Sequence, residues 1–248
     1  MSVLDNLTWR QLQDLGNKHG GEVEIKRFLS GELVLVEKER KVSVAGLANG
    51  GVSYAVPIDI DAFRRDWECH FHEVYGLKID LAGIKLPPLR QGFGWGVVRL
   101  PELSAQQMFE ILTRRFNGRT WKWCDDIDKN LDQTFEVRTT VNGPYVIWCR
   151  DRVEADEELK NLSANNLVER GTNCMTALER IMLEGWFHWK TSGGGHLDIK
   201  NITLCAGSRW SDGNVPNAYW HGKFCVSRHY VGSRPGVGIR AREAVSLP

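Results

Sequence analysis

The chain has 248 residues, of which 42% are hydrophobic and 25% are charged, and these fractions exclude wholesale disorder. Its 32 basic and 31 acidic side chains leave a formal net charge of +1, so charge gives no reason to expect nucleic acid or an anionic membrane as the main partner. No apolar run approaches the roughly 20 residues that cross a bilayer, and the polar amino terminus lacks a secretory signal, which predicts a cytoplasmic protein without a membrane span.

The six cysteines are expected to be reduced thiols, most of them buried. They are scattered along the chain without a CxxC pair, and a chain without an export signal is not expected to form disulfides. The same spacing argues against a zinc site. We therefore expect no metal and no cofactor.

The amino-terminal part predicts a small α/β domain. Two helical patterns and then three strand patterns follow one another at residues 7–15, 22–29, 32–36, 41–45 and 52–56. A further helix is expected from Asp59 or Asp61, which can cap its first turn, to Gly76, which can end it. The consecutive prolines that follow cannot enter a helix or a central strand, so we place a domain boundary after residue 89.

Residues 90–248 predict a larger domain of helices and short strands. Helical patterns occur at residues 104–116, 154–158 and 176–189. Strand patterns occur at residues 95–100, 121–124, 134–141, 145–149, 199–205, 217–221, 223–227 and 237–242. The hairpin dipeptide Asn142-Gly143 is expected to join two of these strands. The predicted fold class is α+β, with two or three helices and short antiparallel strands in the second domain.

The best candidate for a binding surface lies near the carboxy terminus. Residues 207–221 have the Ser, Asp, Gly, Asn and Pro of a loop together with three large aromatic rings, and residues 227–234 repeat this composition. Aromatic rings give contact area at low entropic cost, and Asn and Ser adapt their hydrogen bonds, as in antibody paratopes. The predicted ligand-binding residues are Trp210, Asn214, Asn217, Tyr219, His221, Arg228, His229 and Tyr230. For Trp210 and Trp220, an inward orientation that anchors the loops is the alternative to binding.

An enzyme, of hydrolase or transferase type, is the alternative function. It would use some of His70, His72, His196, Asp198 and Cys205, and it requires a cleft that joins at least two of them. Cys205 lies inside an apolar run, which indicates a buried, unreactive thiol. A structural or phage-derived interaction protein is a third possibility, which a large symmetric oligomer interface would indicate.

Six blocks of the sequence carry a resemblance to known proteins, at residues 27–34, 150–158, 196–198, 203–209, 211–216 and 240–245. Together they resemble a family of uncharacterised proteins from uncultured candidate-phylum bacteria, which implies no activity. Gly207-Ser208, Trp210 and Gly238-Ile239-Arg240 are similar, more loosely, to elements of two groups of proteins. These groups are the variable proteins of diversity-generating retroelements and formylglycine-generating-enzyme-like domains.

Both groups have a C-type-lectin fold. The resemblance therefore implies a C-type-lectin-like domain over residues 90–248, with loops that capture a protein or other macromolecular ligand. The calcium signatures of sugar-binding lectins are missing, because no acid or amide precedes Pro216 in the way that those signatures require. The resemblance does not extend to calcium-dependent sugar binding.

Overall fold

The computed structural model describes residues 23–27, 33–37, 58–232, 236 and 238–247. Contacts divide the chain into two units, Met1–Tyr54 and Ala55–Pro248. The elements predicted at residues 7–15, 41–45 and 52–56 lie outside the described residues.

In the first unit, strands β1 (Val23–Arg27) and β2 (Leu33–Glu37) pair antiparallel. The strand predicted at β2 is confirmed, whereas the helix predicted over residues 22–29 is wrong. Residues 23–26 alternate apolar and charged side chains, and this period of two suits a strand that pairs with its neighbour.

Helix α1 (Ile60–His70) begins where predicted, and the helical segment continues beyond it to the predicted end at Gly76. The carboxylate of Asp59 accepts the backbone N–H of Ala62 at 2.9 Å, as an N-cap does. After His70 the chain makes a π-helical turn, Phe71–Tyr75, and Gly76 ends it with a φ of 70°. Glycine suits this position because a left-handed backbone conformation is unfavourable for residues with a Cβ.

Residues 58–89 belong to the core of the second unit. Trp67 and Phe71 are fully buried, and the Trp67 ring stacks on Trp186 at 5.9 Å between ring centres. The indole N–H of Trp148 donates to the carbonyl of Pro87 at 2.9 Å. The consecutive prolines therefore lie against a buried tryptophan, and the division of the chain falls between Tyr54 and Ala55 instead of after residue 89.

Two longer helices cover the main core. Helix α2 (Ala105–Arg115) begins after Ser104 and helix α5 (Ala177–Lys190) begins after Thr176, and each hydroxyl accepts a backbone N–H of the first turn. In both helices, the side chain of the third helical residue accepts the backbone N–H of the cap residue, which completes a capping box. The helices predicted at these places are confirmed.

Three short helical segments complete the second unit: α3 (Ile127–Asn130), a 3-10 turn (Glu157–Leu159) and α4 (Ala164–Glu169). The helix expected to open at residues 154–158 is thus reduced to the 3-10 turn. Its acidic side chains make tertiary contacts, since the carboxylate of Glu154 accepts the backbone N–H groups of Lys200 and Asn201.

Strands β3 (Trp95–Arg99) and β5 (Tyr145–Cys149) form a two-stranded antiparallel sheet. Both were predicted, but the strand expected at residues 134–141 is absent, and turns and bends take its place. The side chain of Arg138 in this segment instead donates to buried Glu179 at 2.7 Å. The segment before β5 therefore supplies a buried ion pair and no hairpin partner.

The second sheet has five strands in the order β4 (Thr120–Lys122), β8 (Phe224–His229), β7 (Val215–Trp220), β6 (Ile202–Leu204) and β9 (Ile239–Ala241). Strand β7 is antiparallel to both neighbours, whereas the β4–β8 and β6–β9 pairs are parallel. The fold class is mixed α+β, as expected, but the sheet is not purely antiparallel. Among the described residues, no helix has both the length and the apolar character that a membrane crossing requires.

Candidate ligand-binding surface

The Gly-Ser-Arg-Trp segment after β6 has a structural role. A Cβ on Gly207 would lie 2.6 Å from the carbonyl oxygen of Cys174, so a larger residue does not fit there. The hydroxyl of Ser208 accepts the first backbone N–H of α5, from Ala177, at 2.8 Å. These two residues hold the loop against the start of α5.

Trp210 lies in the core and does not contribute to a binding surface. It is fully buried, packs edge-on against Trp123 at 5.4 Å between ring centres, and donates its indole N–H to the carbonyl of Ser227 at 3.2 Å. Its predicted binding role is therefore corrected in favour of the anchoring role. Trp220 is also turned inward, since it packs against the main core.

The outer side of strands β7 and β8 brings predicted binding residues together. Residues that alternate along the two strands share one side, which carries Asn217, Tyr219, Cys225, Ser227 and His229. We call this set the hairpin face. The opposite side carries Ala218, Phe224 and Val226, which are buried in the main core.

The hairpin face is left uncovered at one end of the sheet. A second apolar cluster, which includes Leu204, Val215 and Ala241, covers the same side of the sheet at strands β6 and β9. Beyond it, Tyr219, Ser227 and His229 remain partly exposed. This side of the sheet is therefore half core and half surface.

Two polar groups on the hairpin face lack partners. Asn217 is 5% exposed, and its side-chain carbonyl oxygen has no hydrogen-bond partner among the described residues. Nε2 of His229 is likewise enclosed without one. Buried polar groups are nearly always hydrogen-bonded in folded proteins, so these two groups need a partner, which an ordered water or a bound ligand can supply.

An open depression of about 530 Å³ adjoins the hairpin face, and its lining residues are Asp212, Gly213, Asn214, Tyr230, Val231 and Gly232. We call it the loop concavity. The side chain of Asp212 shapes it by accepting from the backbone and the amide of Asn214 and from Arg228, at 2.8–2.9 Å. Burial raises the pKa of Asp212, but these hydrogen bonds outweigh it and hold the pKa below its usual value. Tyr230 is 72% exposed at the rim.

Cationic side chains lie over aromatic rings around this surface. The guanidinium of Arg228 is 4.5 Å from the centre of the Trp123 ring, and the amine of Lys223 is 5.9 Å from that of Trp121. Trp121 pairs with Cys225 in register, so it extends the hairpin face onto β4 with 42% of its surface exposed. Sequence reasoning missed Trp121, although its place in a short alternating segment could have indicated an outward ring.

The predicted binding residues therefore divide by position. Asn214 and Tyr230 line the loop concavity, and Asn217, Tyr219 and His229 lie on the hairpin face. Arg228 pairs with Asp212 beside the concavity. His221 is exposed in the turn between β7 and β8, at the opposite end of the hairpin from the concavity.

The residues of the enzyme hypothesis occupy different environments. His70 is enclosed by Trp67, Tyr75 and Trp189, and burial, with a smaller contribution from Arg115, lowers its pKa to about 3. His72, two positions along, is exposed. Cys205 is fully buried, and burial raises the pKa of its thiol.

Asp198 belongs to a buried network of charges and not to a cleft. It accepts from Arg180 at 2.9 Å and from Arg242 at 2.8 Å, and Arg180 also donates to Glu184 at 2.8 Å. Burial raises the pKa of Asp198, but Arg242 and Arg180 outweigh it and the net pKa lies below the usual value. Glu184 in turn bonds His196.

The described residues hold no group of three or more His, Cys, Asp or Glu side chains placed to bind a metal ion. No protein-family model, curated protein or solved structure matches the chain.

Proposed function

We propose that the protein binds a protein or another macromolecular ligand through the hairpin face and the loop concavity, and that this surface performs no chemistry. The observation that carries the proposal is the enclosed, unpartnered carbonyl of Asn217 on a side of the sheet that the second apolar cluster covers only at β6 and β9. A hydrogen-bond donor from a ligand would satisfy it, and such a gain is specific to a correctly placed partner.

The shape of the surface supports a large ligand. Four residue steps along β8, from Cys225 to His229, span about 13 Å, and three strands from β4 to β7 span about 10 Å, before the loop concavity is added. Small-molecule sites enclose most of their ligand in a cleft, whereas this surface is open. Exposed aromatic rings with adaptable polar neighbours are typical of protein-binding surfaces.

We further propose that residues 90–248 include a C-type-lectin-like domain and that the protein is a retroelement-diversified variable protein. The location of the hairpin face and the loop concavity within residues 207–245, the segment that carries the resemblance, supports this proposal. The test is genomic: a neighbouring reverse-transcriptase gene should accompany a near-copy of the DNA for this segment that differs at adenines. A locus without both would contradict it.

The binding proposal predicts that the double substitution Tyr219→Ala and Tyr230→Ala abolishes ligand capture. Both rings are partly exposed, so their loss should change the free energy of unfolding by no more than about 0.5 kcal/mol per residue. The measurement is capture by immobilised protein from an extract of its native cells, quantified by mass spectrometry beside thermal melting.

The matched control is the double substitution Val141→Ala and Val168→Ala, which removes two exposed apolar side chains outside the proposed surface. It should leave capture intact. Protease treatment of the extract should remove a protein partner, and nuclease treatment should not. If the tyrosine variant retains the same partners as the native protein, the surface is wrong. A large fall in its melting temperature would show that the rings are structural.

A further inference from the structure

Two histidines meet at the carboxyl end of α5, away from the residues of the proposed binding surface. His188 lies in the last turn of α5, and His196 follows the glycine-rich loop that ends the helix. Their ring centres are 5.1 Å apart with the planes inclined by 33°. The two residues are 7% and 9% exposed, so neither is completely enclosed.

Both rings are held in place by packing. Phe116 contacts them edge-on, at 4.7 Å from His188 and 5.1 Å from His196 between ring centres. The Trp220 ring lies against the other imidazole, His196, with the planes only 7° apart. Such packing fixes ring orientation before any ligand arrives, which is the condition for a preorganised site.

A buried carboxylate determines which nitrogen of His196 carries the proton. Oε1 of Glu184 lies 2.9 Å from Nδ1 of His196, and its other oxygen accepts from Arg180 at 2.8 Å. A carboxylate bound to a guanidinium is an acceptor, so Nδ1 donates and the lone pair of the neutral ring lies on Nε2. This carboxylate–histidine arrangement is the one that orients imidazole ligands of metal ions.

We infer that His188 and His196 form a bidentate site for a late first-row transition metal ion, of the class of Zn²⁺, Ni²⁺ or Cu²⁺. Imidazole nitrogen is a preferred ligand for these ions, and Glu184 supplies the second-shell contact. With two protein ligands, the site is open, and water or an added ligand completes the coordination. This proposed site departs from the expectation, based on the cysteine spacing, that the chain binds no metal.

Two neighbouring positive charges, those of Arg115 and Arg119, oppose a cation at His188. The guanidinium of Arg119 lies 5.5 Å from the centre of the Trp220 ring. The repulsion from both arginines is screened by solvent because both are exposed, whereas the carboxylate of Glu184 is fully buried and contacts the His196 ring directly. The closer and less screened charge favours the metal.

The test is calorimetric titration of the full chain with Zn²⁺, Ni²⁺ and Cu²⁺ salts alone. One metal ion should bind per chain. His188→Gln and His196→Gln should each weaken metal binding more than about 100-fold, because even a residue that only orients a metal ligand contributes 10- to 100-fold to the affinity. Glutamine keeps a polar side chain of similar size, and thermal melting without metal checks that each variant folds.

His72→Gln is the matched control, because His72 is exposed and lies on a different element. It should bind metal as the native chain does. Broadening of the His188 and His196 ring signals by Cu²⁺ in NMR spectra gives a second measurement that does not depend on a variant. Absence of binding up to millimolar metal, or binding that both glutamine variants retain, would overturn the site. Neither outcome would affect the proposed ligand surface.

Discussion

At the scale of single residues, Glu136 is placed where its charge is unfavourable. Burial raises its pKa to about 8, Ser208 opposes this in part, and the carboxylate of Glu179 adds a smaller repulsion. The folded chain therefore holds Glu136 protonated at neutral pH, whereas an unfolded chain ionises it above about pH 4.3. Since the folded state keeps the proton, the free energy of unfolding should fall from about pH 4.3 upward and level off above about pH 8.

Glu136→Gln should remove this contribution. Between pH 5 and pH 9, the unfolding free energy of the variant should fall by about 2–4 kcal/mol less than that of the native chain. Each pKa unit corresponds to about 1.4 kcal/mol, and the partial exposure of Glu136 reduces the effect. Urea denaturation at a series of pH values measures it. Glu102→Gln, at an exposed position, should leave the pH profile unchanged. Parallel profiles for native and Glu136→Gln chains would contradict the raised pKa.

At the scale of elements, the buried charges join parts of the chain that lie far apart in sequence. Arg180 and Glu184 on α5, Asp198 after it and Arg242 after β9 are all enclosed, and their two positive and two negative charges balance. Arg242 also donates to the carbonyl groups of Arg152 and Val153. The network thus ties the helix, the second sheet and the segment after β5 together.

Arg180→Met should destabilise the second unit by about 3–5 kcal/mol, because it leaves buried Glu184 without a guanidinium and buried Asp198 with that of Arg242 alone. Arg152→Met is the comparison, since Arg152 makes a bidentate but exposed ion pair with Glu158. Its loss should change the free energy of unfolding by at most about 1 kcal/mol. Denaturant unfolding measures both, and equal effects would show that burial of the network carries no special penalty.

Elements with local signals were predictable, and elements fixed by distant contacts were not. The helical segment begins after Asp59, whose side chain caps it, and ends at Gly76, whose backbone adopts a left-handed conformation. Because these are local preferences, the sequence was enough to place both ends. Residues 134–141 have a strand pattern, but Arg138 is drawn to Glu179, which lies 41 positions away. No local pattern contains that partner.

The same distinction applies to the candidate site. Composition indicated loops with aromatic rings, whereas Asn217, Tyr219 and His229 lie on strands β7 and β8. Only the register of these strands shows that the three residues share one side. Trp210 has the same loop composition around it and is buried, because its indole packs on Trp123 from a segment about 90 residues earlier. Composition could not separate these two outcomes.

At the scale of the second unit, two apolar clusters divide the five-stranded sheet unequally. The main core covers one side at β7 and β8, and the smaller cluster covers the other side at β6 and β9. The hairpin face is left uncovered because residues 159–174, which supply part of the smaller cluster, pack only against the half of the sheet that contains β6 and β9. This uncovered half-sheet beside a concavity is the surface to which we propose that a partner binds.

The division of the chain leads to a truncation prediction. A fragment of residues 55–248 should fold cooperatively, whereas a fragment of residues 90–248 should not, because it lacks Trp67 and Phe71, which are fully buried. Losing a buried aromatic side chain costs about 3–5 kcal/mol, so two such losses approach the whole stability of a typical domain. Circular dichroism melts and dispersion of amide NMR signals compare the fragments. If residues 90–248 melt as sharply and as high as residues 55–248, the helix and the prolines before residue 90 are dispensable, and the boundary predicted from the prolines is the correct one.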